Sequence, residues 1–293
     1  MKVGVVVVAY NPEPEVAANL RALDDHASLM VIDNSTTASE SLRAATEEMG
    51  GTYILAGQNL GISRALNRGF EELRRQDPEV DAFLCFDQDS QVQSGFISTM
   101  VAHYEALIGE NPRVAWLGPR YVDSSSARPL DRSGDGAEVV ERATLFTSGL
   151  FLPAKTLDAV GPFDPSYFVD HADSEICLRA RAMGLQNFQV PAARLNHRLG
   201  ATTFHRLGRR TVRTTNHPPD RLKSMTANRL RLWSTYWLTD RRWILGTDVP
   251  GFLQDVLKLV LFERNRIAKL RAIAAGLTQS KRTRDSVRPQ VST

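Results

Sequence analysis

Two aspartates one residue apart, Asp87-Gln88-Asp89, follow directly on the apolar run AFLCF at 82–86. Carboxylates at i and i+2 after a buried strand are costly to desolvate, so they need a reason to be there. In a turn both can point into one pocket. There a hard divalent cation, Mg2+ or Mn2+, takes one or two carboxylates and completes its shell with substrate phosphates. Such a cation neutralises a diphosphate leaving group as its bond to carbon breaks. The plainer reading is a turn in which Asp89 caps the next helix, and an isolated Asp-x-Asp has many chance matches.

A second carboxylate, Asp33, ends the short run LMVID, where it can accept from a base imide N–H or a ribose hydroxyl, or cap a turn. Ala9, Tyr10 and Asn11 end the first apolar run and, with Gln88, add polar atoms to the same rim. Asn59-Leu60-Gly61 opens a helical pattern whose free N–H groups suit a diphosphate, with Arg64 one turn inside. Asp170, His171, Asp173 and Glu175 cluster ahead of another helix. Displacing a diphosphate needs a base for the incoming hydroxyl. Asp173 is the first choice, with Asp170, His171 and Glu175 placed to touch the acceptor. The alternative is acidic charge favoured by the helix macrodipole. His197, in LNHRLG, is a good ligand type for borderline metals, although a lone His is more often structural.

These residues sit at the ends of regular elements. VGVVVVA (3–9), LMVID (29–33), 52–56 and 82–86 read as strands. Helices are expected at 13–24, 40–48 and 62–75, Ser39 capping the second. Strands alternating with helices imply βα units, a mostly parallel sheet, and ligands beyond the strands' carboxyl ends. Further on, a helix at 95–109, strands at 114–118, 143–152 and 187–190, and helices at 154–160 and 172–183 are predicted, with 121–138 a polar loop. From about 218 the pattern is helical, at 218–239 and 249–275, with 278–293 a flexible tail. The domain reading is therefore a catalytic domain at 1–215, its nucleotide half 1–118 and acceptor half 119–215, followed by a helical extension at 216–277.

The 293 residues are 42% hydrophobic, enough for a large core. Cys85 and Cys177 are the only cysteines, so no disulfide framework organises the fold, and both are expected to be buried thiols in a reducing cytoplasm. No stretch has the ~18 apolar residues of a membrane span, and the N-terminus lacks a signal-peptide pattern. The net charge of +3 hides an asymmetry: residues 194–293 hold 21 Lys+Arg and 6 Asp+Glu, against 15 and 27 in 1–193. A basic last third points to an anionic partner. A helix at Val249–Ala275 carrying Arg264, Arg266, Lys269 and Arg271 suits an anionic membrane surface at the inner face of the cell membrane; packing on the catalytic domain or on a second subunit, as a homodimer, is the alternative.

Taken together, VVVVAYN, VIDNS, NLGISRALNRGF, FDQDS and TSGLFLPAKTLDAVGPFDPSYFVDHADSEICLRARAMG, with the HRLG that follows, resemble glycosyltransferase family 2 over residues 1–200. NRLRLW and LVLFERNRIAKLRAIAAGL resemble the C-terminal part of bacterial rhamnosyltransferases of that family. The resemblance implies a GT-A fold: a Rossmann-like, mostly parallel α/β sheet with a helical C-terminal extension. It implies Asp33 at the nucleobase, Asp87 at ribose or metal, Asp89 and His197 on the metal, and Asp173 as general base. The family's Glu-Asp pair before the helix is Ala172-Asp173 here, which keeps Asp170 and Glu175 in contention. It further implies an inverting transfer from dTDP-β-L-rhamnose to a lipid-linked glycan acceptor of cell-surface polysaccharide. Another dTDP- or UDP-sugar is the nearest alternative. A sugar nucleotidyltransferase would need a Gly-rich basic loop after the first strand, and AYNPEPE is neither. A nucleic-acid or other anionic-polymer binder fits the basic third but not the acidic strand ends.

Overall fold

The computed structural model describes residues 1–13, 15–21, 23, 27–123, 138–197, 203–208 and 210–286. The chain divides into two compact units, Met1–Arg198 and Leu199–Thr293.

The first unit opens with β1 (Val3–Ala9), α1 (Val16–Leu20), β2 (Ala27–Asp33), α2 (Glu40–Glu48), β3 (Thr52–Leu55), α3 (Ile62–Gln76) and β4 (Ala82–Asp87). It continues with β5 (Gln91–Val92), α4 (Phe96–Glu110), β6 (Val114–Asp123), β7 (Val140–Arg142), β8 (Leu150–Pro153), α5 (Ala154–Val160), α6 (Ala172–Ala182) and β9 (Gln186–His197). Strands lie in the order β3-β2-β1-β4-β8-β6-β9-β5, with β7 on β9. β3, β2, β1 and β4 are mutually parallel. β8 runs antiparallel to β4 and β6, and β6 is parallel to β9. The expected largely parallel α/β sheet is therefore present.

β1 is buried along its whole length, as its unbroken β-branched run requires. α3 covers it with Ala65, Leu66, Phe70 and Leu73, a helical-period stripe. Gly69 lets the two backbones close: a Cβ there would collide with the Val6 side chain. The chain runs from β1 outward to β2 and β3, then returns to place β4 on β1's other side. That reversal makes a crevice at the carboxyl ends of β1 and β4, where open α/β sheets bind ligands. Cys85 and Cys177 are both free and buried, as expected.

Several predicted boundaries moved. The strand expected over 143–152 begins only at Leu150, because Gly149 turns the chain at φ 78. β6 extends to Asp123, into the expected loop, where it gains β9 as a partner. The remaining residues of that loop, 124–137, lie outside those described.

The second unit holds a β-hairpin, β10 (Thr203–Leu207) and β11 (Arg210–Thr214), then α7 (Pro219–Trp243), a π-helical turn at Ile244–Asp248, α8 (Val249–Phe262) and α9 (Arg266–Ser286). α9 lies close on α7, since a Cβ on Gly276 would meet the Thr226 side chain at 2.8 Å. The single helix expected over 249–275 is two. Asn265 takes a left-handed conformation, φ 56, and breaks it. Lys269 is then not on a basic surface: it is buried and paired with Glu263 at 2.6 Å. α9 runs to Ser286, past the 278 at which the sequence suggests a flexible tail.

Candidate active site

Register alone brings three of the expected segments together. Ala9 pairs with Asp33 on one side of β1, and Val8 with Asp87 on the other. The Tyr10 N–H donates to Gln88 Oε1 at 2.8 Å, and the Asn11 N–H to Ser35 Oγ at 2.7 Å. Gln88 thus spends its side-chain oxygen on holding the rim of the crevice. Tyr10 is left half exposed there, with an aromatic ring open to a flat ligand.

Asp33 is fully buried. Its carboxylate accepts from Ser35 N at 3.0 Å, Ser39 N at 3.4 Å and the Tyr53 hydroxyl at 2.6 Å. Burial, then the hydrogen bond to Asp33, pushes the Tyr53 phenol up to about 12, so it stays a donor. Three of roughly four acceptor positions on the carboxylate are thereby filled. What Asp33 does locally is fix the loop 34–39 beside the crevice.

The turn before α3 is built as the sequence suggests, with Asn59 Oδ1 accepting from Gly61 N at 2.9 Å. Its first amide is not free, however. Ile62 N donates to Phe168 O at 2.7 Å, and the Ser63 hydroxyl to Tyr167 O at 2.7 Å. Asn67 makes two further bonds to Phe163, at 2.8 and 3.0 Å. The segment 163–168 is therefore docked on α3, and it carries the acidic cluster in with it. Arg64 stays exposed on α3.

α6 follows His171, held left-handed at φ 70, with Asp173 and Glu175 in its first turn and Arg179 and Arg181 in its last. The acidic residues then separate. Glu175 is buried and pairs with Arg179 at 2.7 Å, and Arg179 also donates to Val160 O and Pro162 O at 3.2 and 2.8 Å. That arrangement is a brace. Asp173 instead accepts from Ser174 N at 2.7 Å and from the Thr147 N–H. Burial above all, and the Asp170 charge, push its carboxyl up to about 6, against those two hydrogen bonds. A carboxylate poised there can take a proton near neutral pH.

Asp87, Gln88 and Asp89 form a turn in which each is partly exposed, while Ser90 is buried against the Ser148 hydroxyl. One residue that sequence reasoning missed connects this turn to α6. Tyr121, on β6, is buried and donates to Ser148 O at 2.9 Å. Burial, then the charges of Asp173, Cys177 and Asp87, raise its phenol well above the ordinary value. The only sequence signal for Tyr121 was its place after the apolar strand WLGP. A second missed element is β5, whose Gln91 pairs with Asn196. It brings the end of β9, and so the backbone of His197, alongside the Asp-Gln-Asp turn. The His197 side chain lies outside the described residues.

Among the described residues no three His, Cys, Asp or Glu side chains group as a metal site. The two partly exposed carboxylates are a donor set that suits an ion completed by phosphate oxygens and water rather than a closed protein cage.

The sequence resembles known glycosyl transferases. Residues 4–134 match the model of Glycosyl transferase family 2. The dTDP-rhamnosyl transferase RfbF of Shigella flexneri is 27% identical over 213 residues, covering 67% of this chain and 68% of that protein. The fold resembles GalNAc-T7 crystallised with UDP, GalNAc and Mn2+ at a TM-score of 0.57 and 15% identity, over 80% of this chain and 49% of that one. It also resembles residues 1–349 of S. aureus TarS in complex with UDP-GlcNAc, at a TM-score of 0.53 and 12% identity, over 99% of this chain and 77% of that one. The chain spans about half the length of GalNAc-T7 (49%) and of the longer TarS structure (46%).

Proposed function

We propose, on the premise that residues 4–134 are a family 2 glycosyl transferase domain, that this chain transfers L-rhamnose from dTDP-β-L-rhamnose to a hydroxyl of a glycan acceptor, with inversion. The donor follows the name of the Shigella relative, a dTDP-rhamnosyl transferase. The observation that supports this chemistry is the 147–148 segment, whose Thr147 N–H donates to Asp173 and whose Ser148 hydroxyl meets that of Ser90, directly after the Asp-Gln-Asp turn.

In this reading the nucleoside enters the crevice between β1 and β4. Tyr10 offers its exposed ring to the base, and the loop fixed by Asp33 closes the pocket from the β2 side. Ala9, Asn11, Asn59 and Gly61 shape its walls, and Arg64 adds positive charge. Asp87 and Asp89, with His197, would hold Mg2+ or Mn2+. When bound, the ion offsets the negative charge on the departing diphosphate. Asp173 takes the proton of the acceptor hydroxyl. The oxygen then forms its bond to the anomeric carbon from the face opposite the diphosphate, which leaves with the electron pair of the old C–O bond. Asp170 and His171 flank the acceptor. Glu175 acts through Arg179, holding α6 and the 160–162 loop in place. A lipid-linked acceptor at the cytoplasmic membrane face fits such a transfer.

The test is a comparison of Asp89→Ala with Asp173→Asn. Both should abolish nucleotide release from dTDP-rhamnose in the presence of acceptor. Only Asp89→Ala should also lose the Mn2+-dependent thermal stabilisation by dTDP. Equal loss of stabilisation in both variants would overturn this assignment of roles, and release from UDP-sugars alone would overturn the donor.

A further inference from the structure

We infer that the outward face of α8, together with the corner where α8 meets α9, is a docking surface for an anionic lipid bilayer. α8 is apolar on two sides. Phe252, Val256 and Leu259 point toward α7 and α9, where they line a shared cavity. Leu253, Leu257 and Leu261 recur at helical spacing on the other side and are 60%, 57% and 54% exposed. Its polar residues are Gln254 and the paired Asp255 and Lys258, so its apolar surface is wider than the one side that packs within the unit and calls for a second partner. One partner is the rest of this unit; the other is missing from the isolated chain.

The stripe continues across the break at Asn265. Ile267 and Leu270, on the first turns of α9, are also exposed, Ile267 by 68%. Interleaved with them are Arg264, Arg266 and Arg271, all at the surface. The unit as a whole, residues 199–293, carries 19 Lys+Arg against 6 Asp+Glu. Exposed leucines bordered by arginines are the composition of a helix that lies in the headgroup region, its apolar face among the acyl chains. The arginines pair there with lipid phosphates.

Charge selects this occupant over a second copy of the chain. Bringing two such corners together would set arginines against arginines, whereas an anionic bilayer neutralises them. α8 has 14 residues, and no helix among the described residues is long and apolar enough to cross a membrane. Lys269 takes no part, being buried with Glu263.

The surface stands on the second unit alone and does not depend on the sugar-transfer reading. The full chain should cosediment with vesicles of phosphatidylcholine containing about one third phosphatidylglycerol, at least about tenfold better than with phosphatidylcholine alone. High salt should weaken the binding. Leu253→Gln/Leu257→Gln and Arg264→Glu/Arg271→Glu variants, each with native circular dichroism, should each lose about tenfold in vesicle affinity. Both should keep the Mn2+-dependent stabilisation by dTDP, which reads the first unit separately. Equal binding to both vesicle types, or full binding by both variants, overturns the inference. So does a dimer that the leucine variant dissolves while the unmodified chain ignores vesicles, since the face would then belong to a second copy.

Discussion

The buried Tyr121 hydroxyl on β6 donates to Ser148 O at 2.9 Å, and burial, then the charges of Asp173 in α6, Cys177 and Asp87 at the end of β4, hold that phenol well above its ordinary value. Tyr121, Asp173 and Asp87 come from elements with no local sequence relation, joined through the 146–149 segment. Within it Thr147 N–H reaches Asp173, Ser148 O accepts from Tyr121, and Gly149 N bonds Cys85 O at 2.6 Å. The Tyr121 phenol therefore stays neutral among these elements.

Activity should rise with pH through about 6, because a base must be deprotonated to accept and the Asp173 carboxyl is held up to that value. Stability should move the other way. A carboxyl raised in the folded state binds more protons folded than unfolded between about pH 4 and 6, so its ionisation lowers stability across that window. Asp173→Asn should therefore unfold no more easily than the unmodified chain at pH 7, and up to about 3 kcal/mol less easily, while losing transfer. A pH profile of nucleotide release, with urea denaturation at pH 5 and 7, checks both signs. A rate flat from pH 5 to 8 would remove Asp173 as the base.

The Asp33–Tyr53 bond predicts a binding defect separable from chemistry. Tyr53→Phe removes the shortest of three donors to a fully buried carboxylate and should cost about 1–3 kcal/mol in urea denaturation. The loop 34–39 loosens, so KM for the nucleotide sugar should rise several-fold with kcat nearly kept. Asp33→Asn retains the shape but presents an N–H where donors already point, and should be worse on both counts. A Tyr53→Phe enzyme with intact KM would mean the loop does not shape the donor pocket.

Much of the first unit was legible because its strands are written in continuous β-branched runs and its helices in 3.6-residue periods. VGVVVVA, LMVID and AFLCF are strands, and the polar residues that end them do share one rim. The state of those polar residues was less legible. Nothing in VIDNS says that Ser35, Ser39 and Tyr53 will fill the Asp33 carboxylate, since Tyr53 arrives by β2–β3 pairing. β5 has two residues and no period to detect, yet it sets the end of β9 beside the Asp-Gln-Asp turn. Lys269 looked like surface charge because its partner Glu263 reaches it only after Asn265 has broken the helix.

Gly61 should tolerate no side chain. It sits at φ 78, and a Cβ there would run into the Phe168 carbonyl and ring, the point at which the 163–168 segment docks on α3. Gly61→Ala should cost about 2–4 kcal/mol, combining left-handed strain with a clash that cannot relax without undocking the segment. The segment carries Asp173 toward the site, so kcat should fall more than nucleotide affinity. Isothermal titration with dTDP and Mn2+, set beside turnover, separates the two. A variant with normal kcat would show that this docking does not position the base.

Glu175 and Asp173 lie two residues apart in one helical turn, and their variants should differ in kind. Arg179→Ala removes the 2.7 Å ion pair from the buried Glu175 carboxylate and the guanidinium bonds to the Val160 and Pro162 carbonyls. Removing one side of such a pair costs about 3–5 kcal/mol. The melting temperature should drop, with residual activity falling in proportion to the folded fraction. Glu175→Gln keeps a hydrogen bond to Arg179 and should lose less stability than Arg179→Ala, with kcat within a few-fold of the unmodified enzyme. Asp173→Asn should show the reverse pattern: an unchanged or raised melting temperature and no turnover. If Glu175→Gln instead abolished transfer while folding normally, the base would be Glu175, and the brace formed with Arg179 would have to open during each reaction.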